Sequence, residues 1–208
     1  MFYPCATVIQ QMNEAGQQKQ PFLFGIDFEL NNGFFIKNPL RQQTVLFEID
    51  GIGNAREKAG RAEEIPYAFS ASVESLEIYS SRFKRVKRYI SRGNSFLTNL
   101  TVKTPLNISL DLEEVFFLAK ARFKLYVPDK FVCFSPERFV EISKGYIRSH
   151  PMKGTIDASV ENAAGRILEN EKEKAEHYTI VDLIRNDIGS VANEVNVKRF
   201  RYVDRRSF

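Results

Sequence analysis

Three stretches carry side chains whose types and spacing could support acid–base, nucleophilic or metal chemistry. The first, "FSPERF" at 134–139, places Glu137 after a proline at a break between two strand-like runs. A carboxyl at such a break can project into a cleft, where burial would favour its protonated form and let it act as a general acid. The alternative is an exposed glutamate at a surface turn, and this stretch alone leaves both interpretations open.

The second stretch, "PMKGT" at 151–155, holds Lys153 between a proline and a glycine. Pro151 stiffens the approach, and Gly154 lets backbone or ligand come close. Lys153 could pair with a carboxylate. It could also be a nucleophile, if desolvation or a cationic neighbour such as Arg148 or Arg138 keeps its amine partly neutral. A surface turn without chemistry would tolerate the same residues.

The third stretch, "EKEKAEHYTIVDLIRNDIG" at 171–189, places Glu173 and Glu176 three residues apart, on one face of a predicted helix. Two carboxylates on a rigid backbone suit a hard cation such as Mg²⁺, which takes few protein oxygens and keeps waters or substrate oxygens. Lys172 and Lys174 flank them, so an ordinary charged helix is the alternative.

The elements that must position these residues are a mixture of strands and helices. Apolar residues at Tyr79, Phe83, Val86 and Ile90 predict an amphipathic helix that Gly93 ends. Asp111, three residues before a glutamate, predicts a capping box that opens a second helix. Further segments are predicted as strands, at 21–29, 44–51, 95–105, 130–135, 138–143 and 146–151, and as a long helix from about 163 to 188. The order lacks the strict alternation of a doubly wound sheet and predicts an α+β fold.

Composition narrows the class of protein. The 208 residues are 43% hydrophobic, enough for one core or part of a larger one. The net charge of +4 includes the basic run 82–92, whose interleaved apolar residues predict a solvated helix face and no nucleic-acid site. The two cysteines, Cys5 and Cys133, have no metal-like spacing and fit a reducing cytoplasm. No apolar run approaches the ~20 residues that span a bilayer, so no membrane association is expected.

In combination, five stretches resemble the chorismate-utilising enzymes, in particular aminodeoxychorismate synthase component I (para-aminobenzoate synthase). The matching segments are "PFLFGIDFE", "GNSFLTNL", "SPERF", "PMKGT" and "KAEHYTIVDLIRNDIGSV", in the family's order along roughly residues 20–198. The resemblance implies a fold of stacked, mostly antiparallel sheets flanked by helices.

The resemblance also implies roles for the candidate residues. Lys153 would attack C2 of chorismate while Glu137 protonates the departing C4 hydroxyl. Mg²⁺ would bridge the ring carboxylate to Glu176, with Glu173 assisting directly or through water. Ammonia from a separate glutamine amidotransferase subunit would then attack C4 and expel the lysine. The product would be 4-amino-4-deoxychorismate, for para-aminobenzoate and folate synthesis.

Further residues of these motifs are implied to contact the substrate or to separate members of the family. Asn99, Gly154 and Thr155 would bind substrate oxygens. Anthranilate synthases look similar but carry alanine at the position of Lys153, so this lysine argues against anthranilate as the product. The isochorismate and salicylate synthases carry a water-activating lysine in the stretch where this chain has Leu97.

The family's catalytic domain is longer than this chain. A Gly-rich segment, the groups that hold the substrate carboxylates and a second metal-binding glutamate find no counterpart in the sequence. Residues 1–208 are therefore expected to form a single incomplete chorismate-binding domain whose C-terminal part is missing. The isolated chain is expected to be weakly active or inactive. The alternative from another class is a non-catalytic remnant that acts as a binding partner.

Overall fold

The computed structural model describes residues 2–55 and 66–203. The strands in these ranges are β1 (Tyr3–Pro4), β2 (Phe22–Ile26), β3 (Asn32–Lys37), β4 (Leu46–Ile49), β5 (Ile52–Gly53), β6 (Phe69–Ala71), β7 (Leu106–Ile108), β8 (Phe123–Val127), β9 (Phe131–Ser135), β10 (Glu141–Ser143) and β11 (Tyr146–Arg148). The helices are α1 (Cys5–Gln17), α2 (Leu76–Ser91), α3 (Leu112–Leu118), α4 (Ala163–Glu169) and α5 (Glu171–Gly189), with a 3-10 turn at Pro39–Arg41.

All strand pairs among the described residues are antiparallel, which confirms the predicted α+β class. A three-stranded sheet has the order β1-β3-β2, and a four-stranded sheet has the order β5-β4-β8-β9. Two further antiparallel pairs complete the described strands: β6 pairs with β7 across the intervening helix α2, and β10 and β11 form a hairpin. Phe34 of β3 packs with Val45 and with Val127 of β8, and this buried cluster joins the two larger sheets.

Helix α3 covers the other side of the four-stranded sheet. Phe116 is fully buried there and packs with Leu46 and Ala55. The predicted capping box is confirmed: the Asp111 carboxylate accepts from the Glu114 N–H at 2.8 Å, and the Glu114 carboxylate accepts from the Asp111 N–H at 2.9 Å. The helix is shorter than the sequence predicted, because the following residues pair as strand β8 with both β4 and β9.

The structure differs from the sequence predictions at three other places. Helix α1, which the sequence analysis did not predict, buries Cys5, Val8 and Ala15 and packs on the three-stranded sheet. The strand predicted over 95–105 is wrong, since that segment forms neither helix nor strand. The long helix predicted from 163 divides into α4 and α5 at Asn170, whose extended backbone ends one helix and whose side chain caps the next.

The buried core lies in the first part of the chain and around α3 and β8. Helices α2 and α5 contain no buried residue, and Ile78 and Phe83 of α2 remain about half exposed. The accessible surface is 16185 Å², against about 10,000 Å² for a folded monomer of this size. The helix and loops that carry the candidate residues are thus lightly packed. No helix in the described ranges is long and apolar enough to cross a membrane.

Candidate active site

Glu137 lies in the loop that follows β9, and its side chain is directed at the "PMKGT" loop. Ser135 Oγ accepts from the Glu137 N–H at 3.1 Å and donates to the Glu137 carbonyl at 2.8 Å, which tightens the turn. The Glu137 carboxylate oxygen Oε1 accepts from the Met152 N–H at 2.8 Å. Glu137 is half-buried in this turn. The Glu137 carboxylate thus contacts the backbone one residue before Lys153.

An ion-pair cluster anchors the loop that carries Glu137. Arg138 pairs with Asp50, in the turn between β4 and β5, and with Glu141 of β10. Arg122 also donates to Asp50, through Nε at 2.6 Å. The hydrogen bond from Arg122, with the charges of both arginines, holds the pKa of Asp50 below its usual range, against a smaller effect of desolvation. Arg138 is thus paired with two carboxylates and anchors the loop. It is not placed as the cationic neighbour of Lys153.

The other side of the loop lies against helix α5. Gly154 has a φ of +72°, and a Cβ at this position would lie 2.8 Å from Oε2 and 3.1 Å from Cδ of Glu173. Glycine therefore satisfies two requirements here, the left-handed backbone and the close approach of the carboxylate. Lys153 and Gly154 are half-buried, and Thr155 is exposed. The loop is thus placed between Glu137 and Glu173.

The first turns of α5 carry the two predicted metal ligands. Asn170 caps the helix by accepting from the Glu173 N–H at 3.0 Å. The side chains of Glu173 and Glu176 are 21% and 31% exposed, whereas that of Glu171 is 84% exposed. Lys172 Nζ lies 3.6 Å from Glu173 Oε1 and 3.4 Å from Glu176 Oε1. The charge of Glu176, then its hydrogen bond and the charge of Glu173, raise the pKa of Lys172.

This carboxylate pair fits a magnesium site with few protein ligands. Among the described residues, no group of three or more His, Cys, Asp or Glu side chains could hold a metal ion. Glu173 and Glu176 both contact one cation, since Lys172 Nζ lies within 4 Å of a carboxylate oxygen of each. Mg²⁺ commonly uses one or two protein carboxylates and fills its other positions with water and substrate oxygens. The donor set present fits that mode of binding.

Two residues beside the site were not selected from the sequence. His177 directly follows Glu176, and this adjacency is what could have indicated it from the sequence. Partial burial, then the charges of Arg201 and Lys153, lower the pKa of His177. Arg201 donates to the carbonyl oxygens of Ile167 and Leu168 at the end of α4. No motif marked it, because its position results from how the segment after α5 folds back.

The remaining candidate, Asn99, is not brought to the site by any hydrogen bond in the described ranges. It is exposed in the irregular segment between α2 and β7. Leu97 in the same segment is 41% exposed. The structure therefore joins Glu137, Lys153, Gly154 and Glu173, with Glu176 on the same helix face.

Comparisons with known proteins place the chain in a family. The model of the chorismate binding enzymes matches residues 8–208. An uncharacterised PabA-like protein of Pasteurella multocida is 44% identical over 200 residues, which cover 95% of this chain and 61% of the relative. The chain thus spans about three fifths of that relative's length.

Two Bacillus subtilis proteins match at lower identity. Anthranilate synthase component 1 is 31% identical over 64% of this chain and 30% of its own length. Aminodeoxychorismate synthase component 1 is 29% identical over 62% of this chain and 30% of its own length. No solved structure matches the chain.

Proposed function

The chain belongs to the family of chorismate binding enzymes, and from that premise we propose that it carries the amine-transfer chemistry of aminodeoxychorismate synthase component I. One observation carries the proposal. Lys153 lies in a half-buried loop whose neighbours on either side contact Glu137 and Glu173. A nucleophilic amine with a carboxyl acid on one side and a cation-gathering carboxylate pair on the other is the set that this reaction needs.

The residues of the chain divide the displacement into two steps. Lys153 Nζ forms a bond to C2 of chorismate while the ring double bonds shift and the bond from C4 to its hydroxyl oxygen breaks. Glu137 gives its proton to that oxygen, which leaves as water, and takes up the proton released by the amine. Ammonia then bonds to C4, the double bonds shift back, and the bond from Lys153 to C2 breaks. Glu137 returns its proton to the departing Lys153 amine and takes up a proton from the new ammonium at C4. The product is 4-amino-4-deoxychorismate.

Substrate binding falls to the carboxylates of α5 and to the loop. Glu176 and Glu173 would hold Mg²⁺, which when bound neutralises the ring carboxylate of the substrate and orients the ring. The backbone of Gly154 and the exposed hydroxyl of Thr155 follow the nucleophile directly and would meet substrate oxygens. Asn99 would have to approach with the irregular segment that carries it.

We also propose the setting in which the reaction occurs. Ammonia would come from a glutamine amidotransferase subunit, as the family resemblance implies. The free thiols of Cys5 and Cys133 support a cytoplasmic location. The large exposed area of the chain supports the expectation that the catalytic domain is incomplete over residues 1–208 and that the isolated chain is weakly active.

The test is a chromatographic assay with chorismate, Mg²⁺ and an ammonium salt. Lys144→Ala is the matched control for Lys153→Ala, because Lys144 is an exposed lysine at the turn between β10 and β11. We expect aminodeoxychorismate from the parent and the control and none from Lys153→Ala. Incubation without ammonia should leave the dehydrated substrate covalently attached to the peptide that contains Lys153, detected by mass spectrometry.

The result also separates the alternatives. Anthranilate as the product would refute the assignment, and the Bacillus subtilis relatives do not decide this, because both products are represented at nearly equal identity. A non-catalytic binding partner would form neither product nor covalent adduct. If chorismate with Mg²⁺ nevertheless raised the melting temperature, binding without chemistry would be the better description.

A further inference from the structure

The carboxylate pair on α5 already holds a cation that belongs to the chain. Lys172 Nζ lies within 4 Å of a carboxylate oxygen of both Glu173 and Glu176. Its side chain is 75% exposed, so most of its length is in solvent and few contacts restrict its rotamers. The two carboxylates are much less exposed, and that of Glu173 approaches the "PMKGT" loop at Gly154.

We propose that Lys172 competes with the divalent cation for this site: its ammonium neutralises the carboxylate pair in the metal-free protein and lowers the affinity for metal. The inference rests on the proposed function, because it takes Glu173 and Glu176 as the metal ligands. It goes further in assigning a role to a lysine that no motif selects.

Competition follows from the geometry. Nζ approaches one oxygen of each glutamate, so a cation binding to those oxygens must either displace the ammonium or accept a positive charge within a few ångströms. Exposed ion pairs are weak and break readily. Lys172 can therefore leave by rotation of its side chain without disturbing the helix. Its departure frees the two carboxylates to bind the divalent cation.

The same helix supplies a matched comparison. Lys174 Nζ lies 3.6 Å from Glu171 Oε1, an ion pair of similar length. Glu171 is nearly fully exposed and is not one of the proposed ligands. Lys172→Gln and Lys174→Gln remove the same charge from the same helix, and glutamine has nearly the helix propensity of lysine. Only the first substitution removes the competitor.

The experiment is a titration of the full chain with Mn²⁺ followed by electron paramagnetic resonance, with Mg²⁺ then added to displace the bound Mn²⁺. We expect Lys172→Gln to bind roughly three- to tenfold more tightly than the parent, and Lys174→Gln to stay within about twofold of it. Equal tightening by both variants would reveal a general effect of net charge and would overturn the proposal.

Glu176→Gln separates failure of this inference from failure of the proposed metal site. If Glu176→Gln loses metal binding while Lys172→Gln binds like the parent, the site stands and the competition is refuted. If Glu176→Gln binds like the parent, the metal lies elsewhere and both ideas fall. Absence of binding to the parent and to Lys172→Gln alike would refute both as well.

Discussion

Replacing Gly154 by alanine tests whether the loop that carries the nucleophile and the helix that carries the metal ligands form one site. The added methyl group would meet the end of the Glu173 side chain at 2.8 Å, shorter than any normal contact. It would also be placed on a backbone with φ of +72°. The substitution therefore has two separate effects, backbone strain and a clash with one carboxylate.

The two effects differ in what they change. A left-handed backbone costs a non-glycine residue about 1–2 kcal/mol of folding free energy. The clash is relieved when the Glu173 carboxylate retreats by about half an ångström, to normal van der Waals distance. Because Glu173 has a flexible side chain, that movement costs little stability. It does separate the carboxylate from its position beside Glu176, and misplacement on the scale of 1 Å can cost up to ~100-fold in rate.

Gly145 provides the control for backbone strain. Its φ is +77°, and a Cβ there would meet nothing within 4 Å. Both variants should lose about 1–2 kcal/mol in urea unfolding. Only Gly154→Ala should also bind Mn²⁺ more weakly and lower kcat/KM, by roughly tenfold. If Gly145→Ala lost as much metal affinity as Gly154→Ala, or if neither lost any, the contact between the loop and α5 would have no functional meaning.

Three further outcomes follow from the structure. Phe116→Ala should lower the free energy of unfolding by about 3–5 kcal/mol, because its ring is fully buried; Phe139→Ala, at a ring 86% exposed, should change it by less than about 0.5 kcal/mol in the same urea experiment. Asn54→Ala should cost about 2–3 kcal/mol, because its amide accepts from the Phe47 N–H and donates to two backbone carbonyls; an unchanged urea midpoint would contradict this. The proton resonances of His177 should titrate with a midpoint below 6.5, since burial and nearby cations lower its pKa. As the pH falls, the unfolded chain takes up this proton before the folded one, so stability falls as the pH drops below about 6.5. His177→Gln should remove that part of the pH dependence.

Several features were predictable from the sequence because they depend on neighbouring residues. The capping box at Asp111 and the end of α2 at Gly93 follow from hydrogen bonds that span a few positions. The same holds for Glu173 and Glu176, whose shared helix face is set by helical spacing. Helix α1 was missed although its buried positions, Cys5, Val8 and Ala15, recur at a helical interval.

Predictions failed where a distant partner decided the outcome. Residues 119–123 were predicted to continue helix α3, but β8 forms from Phe123 onward because β4 and β9 offer it hydrogen bonds on both sides. The segment 95–105 has strand-like residues but pairs with no strand of the described residues, and it is irregular. One failure was local: the Asn170 side chain caps α5 and divides a run that the apolar pattern showed as continuous.

The sequence by itself determined which chemical groups the chain has and the local turns that present them, since residue type and short-range hydrogen bonding need no tertiary partner. Only the tertiary structure decided that Glu137 reaches the Met152 N–H and that Gly154 lies against Glu173. These two contacts join segments 15 and 19 positions apart, each turned towards the other by strands and helices paired elsewhere. Their distances depend on the packing of whole elements, which no pattern within a single segment encodes.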